Sequence, residues 1–262
     1  MERTYWHKQT PNNPLFPDLL WSRPENRAHA GKLLIVGGNL HAFAAPAEAF
    51  QVADKTGAGN LRVMLPDALH KVVKGFIDIA DFAPSTPSGS FSQKATSDIL
   101  EHAAWADTVL FAGDLGRNSE TAIMMENFLL KHTGNVVLTK DAIEYITSSP
   151  SSVAQRANTV LVLSLSQLQR LFTALGLDKA VTLGMSLLQL VELLHEYSAT
   201  FPFSIVTKHH DHIICAHQGE VSTTETNASE DIWRVTTAAK VSVWVMQNPS
   251  KVFEALSVSV TL

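Results

Sequence analysis

The chain is poor in several of the residues and patterns that mark special chemistry. It has one cysteine, Cys215, in 262 residues, which excludes an internal disulfide and fits a reducing cytoplasm. Charge is sparse: 17% of residues are charged, the net charge is −5 and the pI is near 6.1. That leaves no basic footprint for nucleic acid. No apolar run reaches the roughly 18 residues that a membrane-spanning helix needs. The opening MERTYWHKQTPNNP has no apolar stretch and does not read as a secretory signal. There is no Gly-x-Ser-x-Gly elbow, no P-loop and no Rossmann glycine pattern. No glycine follows Gly219. The expectation is a cytoplasmic protein with no nucleic-acid or membrane partner.

What is present is core material: 45% of the residues are hydrophobic, a globular composition. Residues 29–66 are the most informative. The apolar run Leu33 to Val36 ends in Gly37-Gly38-Asn39, an Ala-rich helical stretch follows, and Gly57-Ala58-Gly59 leads to a second apolar run ending at Pro66. This reads as strand, glycine turn, crossover helix and parallel strand. The glycine turn lies beyond the carboxyl end of a strand, where α/β folds bind ligands. It is either a plain strand-to-helix turn or a ligand-facing one.

Further strands are expected at Thr108–Phe111, Asn135–Thr139, Thr159–Leu163, Phe203–Thr207 and Ile213–Ala216, the last two joined by His209-His210-Asp211. Helices are expected from Pro66-Asp67 to about Ile79 with Asp67 as cap, and over about 93–104, 119–132 and 182–198. Asp141 with Glu144 reads as a capping box, and Ser166 with Gln169 as the cap of the helix after the Leu163 strand. The repeated alternation of strand and helix predicts one parallel sheet between helices. Residues 1–28, punctuated by Pro11, Pro14, Pro17 and Pro24, read as an arm lying across the domain or a neighbouring subunit. Residues 29–262 read as a single domain.

The order of these turns resembles the ribokinase-like superfamily and, within it, the NAD(P)H-hydrate dehydratases. The resemblance is carried by His29-Ala30-Gly31, Gly37-Gly38-Asn39, Gly57-Ala58-Gly59 and the Phe111–Arg117 turn with Leu115, Gly116 and Arg117. It continues through Val137–Ala142 with Asp141 and through Val206-Thr207-Lys208. It implies a three-layer α/β/α ribokinase-like fold with a mostly parallel central sheet. It also implies a lyase that uses ADP or ATP to return hydrated NADH or NADPH to the intact dinucleotide. The site residues it implies are Gly37, Gly38, Asn39, Gly116, Asp141 and Lys208, with Asp141 alternatively a simple helix cap.

Two segments depart from the family pattern. Ser164-Leu165-Ser166-Gln167 stands where the family has His-Pro-Gly-Glu. By position, Trp233–Lys240 stands where the family has a Gly-Thr-Gly-Asp turn opening a helix, and it holds neither glycine nor carboxylate. The chain is also expected to stop short of the family's closing helix. Thr236, Thr237 and Lys240 remain as phosphate donors there. Glu225, Glu230 and Asp231 are near in sequence, but their spacing does not set them on that turn.

The leading expectation is therefore a divergent dehydratase homologue with part of its nucleotide site and weak or lost catalysis; a catalytic residue is not identified. The ligands it implies are ADP or ATP with NAD(P)H hydrate, or none retained. The alternative is a non-catalytic protein acting by self-assembly or partner binding, for which the apolar segment 241–262 and the aromatic arm speak. On that view a homo-oligomer is expected. A third option is a small-molecule kinase of the superfamily. Asp114 is expected to repel a phosphate where the family has glycine. His209, His210, His212, Cys215 and His217 are read as a hairpin turn with no metal.

Overall fold

A computed structural model describes residues 3–73, 80–226 and 233–261. Among them one ten-stranded sheet runs in the order β1-β10-β9-β8-β7-β6-β5-β2-β3-β4. The strands are β1 (Trp6–Gln9), β2 (Lys32–Gly37), β3 (Asn60–Pro66), β4 (Ala80–Ala83), β5 (Thr108–Gly113), β6 (Asn135–Thr139), β7 (Thr159–Val162), β8 (Ser204–His209), β9 (His212–His217) and β10 (Glu220–Glu225). The helices are α1 (Pro17–Trp21), α2 (Ala44–Thr56), α3 (His70–Val73), α4 (Ala95–Trp105), α5 (Ser119–Lys131), α6 (Asp141–Ser148), α7 (Ser151–Ala154), α8 (Leu165–Ala174), α9 (Leu187–Thr200), α10 (Trp233–Gln247) and α11 (Val252–Ser259). No described helix is long and apolar enough to cross a membrane.

Strands β4 to β8 and the two between them in the sheet pair in parallel, and β9 and β10 close it in antiparallel fashion. The parallel strands are apolar on both faces because helices cover both. On one face Leu34, Val36, Val109, Phe111, Val136 and Leu138 pack with α4, α5, α6, α8 and α9. On the other, Leu33, Ile35, Leu110, Val137 and Val160 pack with α2, α10 and α11. The three-layer expectation is met.

Strand order reverses between β2 and β5: β3 and β4 build outward on one side, β6 to β8 on the other. That switch point opens a crevice at the carboxyl ends, because the two connecting chains leave in opposite directions. The gap is closed locally by glycine. The Gly38 N–H donates to Gly113 O at 3.0 Å, and the register of β2 against β5 shifts between Val36 and Gly37. A Cβ on Gly37 would lie 2.6 Å from Gly113 O.

Several expectations are corrected. The 241–262 segment is not an apolar surface: Val241, Val243, Trp244, Val245, Leu256 and Val258 are all core. The aromatic arm packs on its own chain, with Trp6 Nε1 donating to Thr223 Oγ1 at 3.0 Å and Tyr5 stacked on His195. Its first residues form β1, an edge strand beside β10. The helix after Pro66 is broken into a short turn and α3, with Pro66, not Asp67, at the cap position. Asp67 instead accepts from Ser85 N at 3.0 Å; the end expected near Ile79 lies outside the described residues. Ser164 with Gln167, not Ser166 with Gln169, forms the capping box of α8, and Ser186 with Gln189 caps α9, which begins at Leu187 and not near 182. His209 ends β8, leaving His210 and Asp211 as the turn.

Gly37→Ala should force β2 and β5 apart, since the obstruction is backbone and cannot rotate away. A loss of about 1–3 kcal/mol of stability is expected, read by urea denaturation. An unchanged midpoint would show that the strands have room to give.

Candidate functional site

The turns after β2, β5 and β6 meet at the switch point. Gly38 takes φ +87°, Gly116 φ +77°, Asp114 φ +58° and Lys140 φ +53°. The two non-glycine residues are held in the left-handed region by what their side chains bind. Asp114 Oδ2 accepts from Ala45 N at 2.8 Å, in the first turn of α2. Its Oδ1 pairs with Lys140 Nζ at 2.7 Å, and its backbone O accepts from Asn39 Nδ2 at 2.6 Å. The negative charge expected to repel a phosphate is therefore paired within the chain. A helix N-terminus and an ammonium neutralise it.

Asn39 is 8% exposed, and its Oδ1 accepts from His41 N at 2.8 Å. Oδ1 thus fixes Asn39's own turn, while Nδ2 ties the β2 turn to the β5 turn. Gly116 N donates to Asp141 Oδ2 at 3.1 Å, and Tyr145 Oη donates to Gly116 O at 2.6 Å. A Cβ on Gly116 would meet Ser90 Oγ at 2.7 Å.

Asp141 does not cap α6 by its side chain; Lys140 holds the cap position without a side-chain bond. Asp141 Oδ1 is buried with no hydrogen-bond partner. Burial raises the pKa of the carboxyl group; the Gly116 N–H opposes that, Asp114 adds to it, and Lys140 opposes it. Glu144, expected to complete a capping box, instead accepts from Gln167 Nε2 at 3.0 Å and pairs with Arg170.

Beside these turns a cleft of about 530 Å³ opens, lined by Arg117, Lys140, Asp141, Gln167, Arg170 and Arg234 among others. Gln167 organises it: Nε2 also donates to Lys140 O at 2.8 Å, and Oε1 accepts from Arg234 Nη1 at 2.9 Å. Lys140 is paired with Asp114 and Arg170 with Glu144. Arg117 and Arg234 have no carboxylate partner among the described residues.

The remaining expected residues lie elsewhere. Among the described residues α10 runs over Trp233–Gln247, so 233–240 lies within the helix. Thr236 Oγ1 donates to Glu48 Oε1 on α2 at 2.7 Å, and Thr237 is 7% exposed. Lys240 sits further along α10, and Lys208 at the end of β8; neither lines the cleft. Glu230 and Asp231 lie outside the described residues. Arg234 and Gln167 were missed from the sequence. The signal was there: both fall in the two segments that depart from the family pattern.

The histidines disperse. His209 Nε2 bonds Met185 O at 2.8 Å, His212 pairs with Asp211, and His217 Nδ1 meets Ser204 Oγ at 2.8 Å. No metal-holding group of His, Cys, Asp and Glu exists among the described residues. Cys215 is buried, which pushes its thiol up to about 12.

A bifunctional NAD(P)H-hydrate repair enzyme of Dictyoglomus turgidum is 26% identical over 128 residues, which is 48% of this chain and 25% of that protein. The aligned part is thus about a quarter of that relative's length. A ribokinase-like superfamily protein of Enterococcus faecalis superposes with a TM-score of 0.75 at 16% identity, covering 100% of this chain and 87% of its own. The ADP/ATP-dependent NAD(P)H-hydrate dehydratase of Bacillus subtilis, co-crystallised with ATP and Mg2+, superposes with a TM-score of 0.63 at 14% identity, covering 94% and 86%. These two likenesses establish the ribokinase-like fold. The Carb_kinase family model, described as NAD(P)H-hydrate dehydratase, matches residues 33–231. The chain belongs to the NAD(P)H-hydrate dehydratase family.

Proposed function

We propose that the chain binds a nucleoside di- or triphosphate in the carboxyl-edge cleft, and that it is a hydrate dehydratase homologue in which binding is retained better than turnover. The observation that carries the reading is the pair of guanidinium groups, Arg117 and Arg234, facing one cleft with no carboxylate partner among the described residues. Arginines at a switch-point crevice suit phosphate oxygens, which they bind in bidentate fashion. Arg234 is further oriented by Gln167, so it approaches an anion without first losing much side-chain freedom. With nucleotide bound, the family reaction removes water from the hydrated nicotinamide ring. This chain's residues would hold the phosphates and exclude solvent.

Two observations favour slow chemistry. Among the described residues the first turn of α10 carries no acid, and a positioned general base supplies about a hundredfold to ten-thousandfold in rate. Asp141, the family acid that persists in the β6 turn, keeps Oδ1 buried and spends Oδ2 on Gly116. It braces the turn. The self-assembly alternative is weakened, because Val241, Val243, Trp244, Leu256 and Val258 are core and Tyr5 and Trp6 of the arm pack on their own chain, although Trp21 is 87% exposed.

ADP at saturating concentration should raise the melting temperature, and Arg234→Ala should weaken ADP binding by about tenfold or more. No ADP-dependent shift in the wild-type chain would overturn the nucleotide reading. Recovery of NADH from its hydrate should be slow, and Asp231→Asn and Glu230→Gln should change it little. Turnover at ordinary enzyme rates that Asp231→Asn abolishes would show an intact proton-transfer group ahead of α10.

Asp141 gives a pH test. A carboxyl with a raised folded-state pKa holds its proton more tightly in the native chain than in the unfolded one. Stability therefore falls as pH rises from the ordinary carboxylate range through the raised value. Asp141→Asn keeps an acceptor for Gly116 N–H and removes the charge. It should be as stable as wild type or more so at pH 7, with a flatter decline from pH 4 upward in chemical denaturation. A variant destabilised at pH 7 would contradict this.

A further inference from the structure

The charges that line the switch-point cleft are unequal in number. Four side chains are cationic, Arg117, Lys140, Arg170 and Arg234, against two carboxylates, Asp141 and Glu144. Lys140 is answered by Asp114 and Arg170 by Glu144. Arg117 and Arg234 carry the remaining positive charge, with no carboxylate partner among the described residues.

Nucleotide sites commonly seat the phosphates together with Mg2+, which one or two protein carboxylates help to hold. The donor set of this cleft does not fit that arrangement. Asp141 Oδ2 is spent on Gly116 N, and Oδ1 is buried against Gly113, where an added Cβ would lie 3.1 Å from it. Glu144 Oε1 accepts from Gln167 Nε2 at 3.0 Å and pairs with Arg170, so a cation nearing this carboxylate also nears a guanidinium. Gln167, 4% exposed, adds an amide to the wall and no charge. Its orientation is fixed from both ends: Nε2 faces Lys140 O and Glu144 Oε1, and Oε1 faces Arg234 Nη1 and Ser164 N. No group of three or more His, Cys, Asp or Glu that could hold a metal ion exists among the described residues.

A divalent ion in this cleft would lie among like charges. Bound to a polyphosphate, it would also cancel the negative charge that the guanidinium groups attract. Guanidinium forks neutralise phosphate oxygens directly, without stripping water from an ion that gives it up reluctantly. We propose that the cleft takes its polyphosphate free of divalent metal, with Arg117 and Arg234 in the neutralising role, so that Mg2+ competes with the protein for the ligand. The inference rests on the nucleotide reading of the same cleft, and a bare phosphate chain tests it separately.

The test measures ADP and tripolyphosphate binding to the full chain by titration calorimetry, in EDTA and in excess Mg2+ at equal ionic strength. ADP should bind saturably in EDTA, and excess Mg2+ should weaken it about fivefold or more. Tripolyphosphate should follow the same order. Arg234→Ala should weaken both ligands in EDTA and narrow the gap between the two buffers, because less positive charge remains to favour the bare anion. ADP binding that is equal or tighter in Mg2+ would overturn this inference and leave the nucleotide reading standing. Tripolyphosphate binding with the metal penalty, but no ADP binding in either buffer, would support the metal-free cleft and overturn the nucleotide reading. No binding of either anion would overturn both.

Discussion

One carboxylate holds three segments of the switch point together. Asp114 accepts from the amino end of α2, pairs with Lys140 at the start of α6, and through its backbone oxygen holds Asn39 beyond β2. Each contact is short, and the group is nearly enclosed, with 12% of its side chain exposed. A charged hydrogen bond inside such an enclosure is stronger than at the surface, and more costly to leave broken. The left-handed backbone at both Asp114 and Lys140 follows from this pairing. The amino end of α2 is thereby occupied from within, so an incoming phosphate has no free helix terminus there.

That occupation moves the reading of the cleft one turn along the sheet. The positive charge that remains without an acidic partner among the described residues belongs to Arg117, after β5, and to Arg234, on α10. Gln167 links the latter to the β6 turn through the Lys140 backbone oxygen. The segment that departs from the family's His-Pro-Gly-Glu is thus still part of the site, with an amide organising neighbours where the family carries an acid. Two acids beside the cleft brace the structure: Asp141 supports the Gly116 turn, and Glu144 balances Arg170.

The buried centre of the sheet was legible because its strands are apolar on both faces and end in glycine or small polar turns. β2, β5, β6 and β7 could be placed from Leu33–Val36, Thr108–Phe111, Asn135–Thr139 and Thr159–Leu163 alone. The edges were not legible. The edge strands β1 and β4 are four residues each, β4 too short to show a period, and β1 with its neighbour β10 is largely polar, with Lys8 and Ser222 to Thr224 among their residues. Such strands have no apolar period to detect, since one side faces the solvent or a neighbouring strand's polar groups. The α8 cap was misplaced by two residues because Ser164 and Ser166 each have a glutamine three residues on. Only the backbone shows which serine precedes the first helical turn. The apolar 241–262 segment illustrates the opposite ambiguity. Hydrophobic composition marks burial without saying whether the cover is the same chain or another, and here it is α2 and the sheet. Asp114 was legible as a charge, but its pairing was not. Its partners, Ala45 and Lys140, lie 69 and 26 residues away.

A crystal structure of the chain with ADP would test the central claim most directly. The account predicts the phosphates against Arg117 and Arg234, with Asp114 still bonded to Ala45 N and Lys140. Phosphates seated on the amino end of α2 with Asp114 swung away, or ADP bound elsewhere, would contradict it.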